Sequence, residues 1–400
     1  MTEPVDPTDD EELASHPVPL GTIVREWGRI GILGFGGPPT HIALLRALCV
    51  TDRAWLTATE FEDGIAATNL LPGPASTQLA IFCAWRLRGT AGALAGGLCF
   101  IVPGLVVILA LSAIFFGAHP PLWILGAAAG AGAAVPAVAV HAATGLFPGS
   151  WQRVGAHRSA RIRWIVYVAL GGVSAAAVGP WLVLVLVACG VVEISIRARP
   201  ARPPSGRAHS LSPLALPAAV AAGGFGAIAW VALKVGALSY GGGFVIVPLM
   251  QHDAVHTYHW MTGAQFLDAV ALGQLTPGPV VQTVAAVGYA AAGIGGGLLA
   301  AAVAFAPSFV FVLVGGRHFD QIRANAHVRS FLIGAGAASL GAIAGSAIPL
   351  GAALSHVWQA GVLVLAAGWL FGLRRGVITA IVGAAVLGVV AGLAGAPVPH

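Results

Sequence analysis

The sequence predicts an all-α, polytopic membrane protein made of two inverted-topology repeats, and three observations carry that expectation. First, 9% of the 400 residues are charged while 57% are hydrophobic, against roughly 25% charged in an ordinary soluble domain. Runs such as 165–192 and 357–372 contain no Lys, Arg, Asp or Glu, so a water-soluble enzyme of this size is close to excluded. Second, the chain repeats itself at an offset of 205 residues without a gap. Gly36, Gly37, Trp55, Thr57, Phe61, Asp63 and Pro72-Gly73-Pro74 fall on Gly241, Gly242, Trp260, Thr262, Phe266, Asp268 and Pro277-Gly278-Pro279. Chance similarity between apolar segments gives scattered Ala, Leu and Val matches, not a Trp, an Asp and a whole Pro-Gly-Pro in one register. Third, the basic residues sort to one side of the bilayer under one topology.

Residues 1–20 hold Asp6, Asp9, Asp10, Glu11 and Glu12 with no Lys or Arg, the opposite of a signal peptide, and read as a disordered tail. Residues 21–196 form the first repeat, 197–212 an Arg/Pro-rich cytoplasmic linker, and 213–400 the second repeat. Each repeat opens with a Gly-broken helix, about 22–45 and 214–247. Next comes a segment broken at Pro-Gly-Pro, with half-helices of about 57–69 and 75–88 in the first repeat. Fourteen residues rise about 21 Å, enough to pass the middle of a roughly 30 Å hydrocarbon layer and no more. The segment therefore reads as a re-entrant hairpin. Full spans follow at 91–116, 122–143, 165–178 and 180–196, and at 293–314, 330–350, 357–373 and 376–396. With the N-terminus outside and both hairpins returning to their own side, all basic residues except Arg25, Arg29 and Lys234 lie inside, as the positive-inside rule requires. The net charge of +5 then reflects cytoplasmic loops and not nucleic-acid binding.

Each Pro-Gly-Pro tip is a candidate anion site. Proline is tolerated at a helix start, so Pro74 and Pro279 begin the outgoing half-helices, whose first-turn amides lack internal partners and carry the positive end of the helix dipole. In inverted repeats the tips, including Pro72, Gly73, Pro277 and Gly278, approach one another near the midplane, a construction that recurs in secondary transporters. Neutral polar residues cluster there: Asn69, Ser76, Thr77 and Gln78 in one half, Gln274, Thr276 and Gln282 in the other. As a repeated cluster they favour a site, against the alternative that they cap helices or bond back to the backbone. Arg29 and Lys234 are repeat-matched basic residues inside apolar helices, where an unpaired charge is costly and usually functional. The competing reading is that Arg29 snorkels to the interface and Lys234 pairs with a carboxylate. Asp63 and Asp268 are matched as well and read as a proton relay or, slightly ahead, a structural pair. His41 follows the Gly36-Gly37 break, where it titrates near neutral pH; its counterpart is Ile246. His252, His256 and His259 have a spacing that can bind metal, but a solvated loop is the better reading, and no metal or cofactor is expected. Cys49, Cys83, Cys99 and Cys189 form no metal or disulfide pattern. No phosphate-binding loop, zinc-protease motif or nucleophile elbow is present.

Gly34-Phe35-Gly36-Gly37-Pro38 with Leu71-Pro72-Gly73-Pro74, and Tyr240-Gly241-Gly242-Gly243 with Trp260-Met261-Thr262, Phe266-Leu267-Asp268 and Gly273-Gln274-Leu275-Thr276-Pro277-Gly278-Pro279, closely resemble the chromate ion transporter family in its long, two-domain form. The resemblance runs from about residue 22 to the last span. It implies a multi-pass protein of the bacterial inner membrane that exports chromate and confers chromate resistance, with the glycines and prolines of these motifs at the substrate site. Sulfate, of similar shape and charge, is an alternative substrate, so a general sulfate or oxyanion carrier competes with a dedicated exporter. An anion channel or a non-transporting sensor are further alternatives. A homodimer is compatible with such carriers, although no residue argues for one.

Overall fold

Helices account for every regular element among the described residues of the computed structural model, which are 18–69, 71, 73–117, 120–177, 182–197, 224–239, 246–315 and 325–398. The first half contains α1 (Leu20–Leu33), α2 (Pro38–Arg46), α3 (Ala58–Thr68), α4 (Ala75–Phe115), α5 (Leu122–Val154), α6 (Arg158–Ala177) and α7 (Leu182–Arg197). The second contains α8 (Phe225–Leu238), α9 (Ile246–Gln251), α10 (Gly263–Leu275), α11 (Thr283–Gly315), α12 (Ala326–Gly345), α13 (Ala347–Ala352), α14 (Val357–Ala367) and α15 (Val377–Leu393). Both α2 and α9 continue into a wider π-helical turn, Ala47–Asp52 and His252–Thr257. Five stretches are long and apolar enough to cross a membrane: α4, α5, α6, Val280–Gly315 and Ala326–Ala352. The linker and the Gly241-Gly242 break lie outside the described residues, as do most of the N-terminal tail and Pro72.

Local chemistry repeats between the halves along with the sequence. Thr57 accepts from the Glu60 amide while Glu60 accepts from the Thr57 amide, a capping box that starts α3. Thr262 and Gln265 do the same for α10. The outgoing half-helices are each interrupted once, at Arg88-Gly89 and at Ala292-Gly293, where the glycines take φ of +59° and +61°. There a half-length helix ends and a full crossing begins.

One expectation is corrected. The Gly-broken opening segment does not continue as a single crossing from 22 to 45 but folds back on itself. Glu26 of α1 meets Arg53, beyond the far end of α2, at 3.2 Å, and Trp27 stacks on Trp55 with ring centroids 6.5 Å apart. Glycines 34, 36 and 37 supply the turn, with Gly36 and Gly37 at φ of +101° and +75°. The fold-back is held by Trp27, whose indole Nε1 donates to the Ala80 carbonyl at 2.8 Å, and by Arg88 donating to the Val18 carbonyl. So α1 to α4 comprise two consecutive hairpins with tips at one level. The start of α1 therefore shares a side with Arg53 and Arg88, and Arg25 lies there as well.

The halves interlock through small residues. A Cβ on Gly97 of α4 would meet Phe309 of α11, and one on Gly297 of α11 would meet Leu109 of α4, so these helices run antiparallel. In the same way α5 packs on α14 and α15 of the other half, while α12 packs on α6 and α7. Backbones approach where both sides lack a side chain: Gly126 and Gly130 against Gly388, and Gly171 against Ala338. Replacing Gly388 by Val is expected to lower stability by about 1–3 kcal/mol through overpacking, seen as a lower melting temperature in detergent. Gly383→Val on the same helix, where a Cβ meets nothing within 4 Å, is expected to leave it unchanged.

Candidate functional site

Two main-chain hydrogen bonds join the hairpin tips across the halves. The Gly73 amide donates to the Ser239 carbonyl at 3.1 Å, and the Gly278 amide donates to the Gly34 carbonyl at 3.0 Å. Gly73 and Gly278 are repeat partners, as are Gly34 and Ser239, so the bonds are related by an approximate twofold. Each Pro-Gly-Pro tip therefore rests on the broken opening hairpin of the other half. Gly73 at φ +124° and Gly278 at φ +96° hold conformations that side chains rarely adopt.

Further polar groups fix the tips. His41 is fully buried; its Nε2 lies 2.8 Å from the Gly34 carbonyl, to which it donates, and its Nδ1 lies 3.3 Å from the Ser76 hydroxyl. The Gly34 carbonyl thus accepts from both His41 and Gly278. Gln282 donates through Nε2 to the Ile101 carbonyl at 2.7 Å, and Thr276 donates back to the Gly273 carbonyl. Ser76, Thr77, Gln78, Thr276 and Gln282 are all buried, as are Pro74, Pro277, Gly278 and Pro279. Among the described residues, Thr77 Oγ1, Ser239 Oγ, Ser308 Oγ, Gln274 Nε2 and Gln282 Oε1 are buried without a hydrogen-bond partner. Buried polar atoms of this kind usually have a partner; of these residues Gln274 lines the cavity at the tips.

A cavity of about 790 Å³ opens from the tips. Gly36, Gly37, Asn69, Gly73 and Ala75 of the first half line it, and Gln274 and Val280 of the second face them. Ala75 begins α4, so this helix presents its unpaired first-turn amides and positive dipole end to the cavity. Arg153 lines the cavity and no carboxylate does. Such a chamber, with neutral donors, a helix N-terminus and one guanidinium, suits an anion.

Not every sequence candidate is brought there. Arg29 is exposed and outside the cavity lining. Lys234 also lies outside it; its ammonium pairs with the buried Asp253 carboxylate and sits 5.5 Å over the Trp230 ring. The matched acids differ: Asp268 is buried, with Oδ1 2.7 Å from where a Cβ on Gly132 would stand, whereas Asp63 is exposed. His252 and His256, in the π-helical turn after α9, have rings tilted by 43° with centroids 5.6 Å apart and are outside the cavity lining. Sequence reasoning missed His141 and Arg153 as lining residues, whereas Ala75 and Val280, the positions where the outgoing half-helices start, do line the cavity as their first-turn amides led one to expect. Arg153 counted only as a cytoplasmic charge, although its four-residue spacing from Gly149 and Gly145 places all three on one face of α5.

The chromate transporter family model matches residues 21–194 and 226–389. The chain belongs to the chromate transporter family. It is 32% identical over 363 residues to the chromate transport protein of Cupriavidus metallidurans, covering 88% of each chain. It is 28% identical to the probable chromate transport protein of Synechococcus elongatus over 95% of this chain and 98% of that one, and 28% identical to the chromate transport protein of Pseudomonas aeruginosa over 85% and 83%. No solved structure matches it. Membership makes this a multi-pass membrane transporter and not an enzyme, with the two matched halves corresponding to the two interlocked bundles.

The Lys234–Asp253 pair yields a stability prediction. Lys234→Met strands a buried carboxylate and is expected to cost about 3 kcal/mol, most of which Asp253→Leu in the same protein should restore. Melting curves of the two single variants and the double variant measure the coupling. Additive effects would show that the pair is not the reason for the lysine.

Proposed function

We propose that this protein exports chromate across the bacterial cytoplasmic membrane as a secondary transporter, holding the dianion between the hairpin tips and exposing it alternately to the two sides. The observation that carries the reading is the cavity itself, which is lined by tip residues of both halves. Gly36, Gly37, Asn69, Gly73 and the α4 first turn, with Gln274 and the Val280 turn opposite, form the binding surface. Ser76, Thr77, Gln78 and Gln282 hold its shape. The chromate transport activity named for the relatives supports the choice of substrate.

The antiparallel packing of α4 on α11 supports opposite orientations of the two halves in the bilayer. The helix ends bearing Arg53, Arg88, Arg158 and Arg197 then face the cytoplasm, and the cavity opens there. An inside-negative potential favours exit of a dianion by about 2.3 kcal/mol per charge per 100 mV, so export needs no further coupling.

The approximate twofold also suggests what moves. In the second half α10 packs directly on α5, with Asp268 against Gly132. The related pair is α3 and α12, with Asp63 and Gly336; here Asp63 is exposed and Gly336 lines the cavity. In the opposite state α3 closes on α12 and buries Asp63 while α10 leaves α5 and frees Asp268. The two matched carboxylates thereby exchange burial in each cycle, which makes them the place for any proton coupling.

Uptake of labelled chromate into inside-out vesicles tests the function. Saturable uptake, stimulated by an interior-positive potential and resistant to a sulfate excess, is expected; sulfate-blocked uptake would make the protein a general oxyanion carrier, and absence of flux would remove the transport reading. Gly336→Leu is expected to leave chromate binding within about threefold of wild type while reducing uptake at least tenfold, because the added side chain occupies the space into which α3 closes. Undiminished uptake by this variant would sink the exchange mechanism.

A further inference from the structure

The cavity has a built wall on α5. His141, Gly145, Gly149 and Arg153 follow one another at four-residue steps, and all four line it. Four-residue steps stay on one helix face, and twelve residues rise about 18 Å, close to the depth of half a bilayer. A Cβ on Gly145 or Gly149 would meet nothing within 4 Å, so the two glycines floor an open passage and are not sites of close helix contact. At its outer end the Arg153 Nε donates to the Gly149 carbonyl at 3.0 Å, which lays the guanidinium along the passage. Four arginines on this side are engaged by acids, Arg46 by Glu62, Arg86 by Glu60, and Arg163 and Arg197 by Glu193, and Arg161 lies over the Trp151 ring, away from the cavity lining. Arg153 has no carboxylate partner among the described residues. At the inner end His141 packs edge-on to Phe371, and its Nδ1 is buried without a hydrogen-bond partner among the described residues.

We infer that this face of α5 is the loading route for the transported oxyanion, with Arg153 as the group that captures a tetrahedral dianion from the cytoplasm and His141 as the polar group that receives it near the tips. The inference rests on the function proposed above and adds residues outside the repeated motifs. Its asymmetry supports it. The α5 segment Gly130-Ala131-Gly132-Ala133-Ala134 recurs in α12 as Gly334-Ala335-Gly336-Ala337-Ala338, which makes Gly345, the last residue of α12, the counterpart of His141. Gly345 carries no side chain and is packed against Gly172, so the corresponding position of the second half offers no polar group.

Thiol labelling tests the route independently of transport. In purified Cys99→Ala protein, Gly145→Cys is treated with methanethiosulfonates bearing either a sulfonate or a trimethylammonium group. The anionic reagent is expected to react about tenfold faster at low salt, the ratio falling towards one with Arg153→Gln or in high salt, and sulfate is expected to slow it. Gly383→Cys on the outer face serves as the control whose ratio ignores Arg153. No labelling of Gly145→Cys by either reagent, or a ratio unaltered by Arg153→Gln, overturns the inference. Chromate uptake by the unmodified protein judges the transport reading separately.

Discussion

The structure depends on four broken backbones satisfying one another in the middle of a bilayer. Hydrocarbon offers no hydrogen bonds, and an unpaired amide or carbonyl there costs several kcal/mol. A Gly-rich break is therefore tolerable only if another peptide group meets it. The bonds from Gly73 to Ser239 and from Gly278 to Gly34 meet that requirement reciprocally, each half supplying the partner the other lacks. Neither half can satisfy its own tip in this arrangement, so the two repeats fold as one body. The small-residue contacts of α5 with α15 and of α12 with α6 follow from the same demand, because the tips meet only if the surrounding helices interlock closely.

That geometry also explains why the site is suited to an anion. Half-helices that stop at the midplane leave amides facing inward, and prolines at the tips remove donors that would otherwise compete. What remains is a set of neutral donors and dipole ends, the kind of surface that favours an anion. Lys234 is paired with Asp253 outside the cavity lining, and among the described lining residues Arg153 is the one guanidinium.

Much of this was legible in the chain. A repeat that aligns Trp55 with Trp260 and Pro-Gly-Pro with itself specifies two equivalent units, and helix length identifies the hairpins as half-spans. Matched capping residues at Thr57 and Thr262 mark where the incoming half-helices begin. The fold-back of α1 on α2 was not legible, because hydropathy gives the same profile for one broken crossing and for two half-helices. Contacts such as Glu26 with Arg53 and Trp27 with Trp55 distinguish them. The fate of Lys234 was hidden for a similar reason: its partner lies 19 residues away, across a break whose geometry no local pattern encodes. Arg153 was obscured by company, being one of many arginines near helix ends.

The halves are alike in backbone and unlike in side chains, and that difference makes the two end states of the proposed cycle unequal in energy. His41 braces the first tip by donating to the carbonyl that also accepts from Gly278; its counterpart Ile246 can brace nothing. Asn69 stands where Gln274 does, and His141 where Gly345 does. A perfectly symmetric pair of repeats would have two states of equal energy and would load equally from either side. Each substitution of a polar group by an apolar one on the second half removes stabilisation from the outward-facing arrangement of the same elements. In the proposed cycle the cavity-open arrangement is the one that receives an ion from the basic side, and the membrane potential acting on the dianion supplies the energy for export.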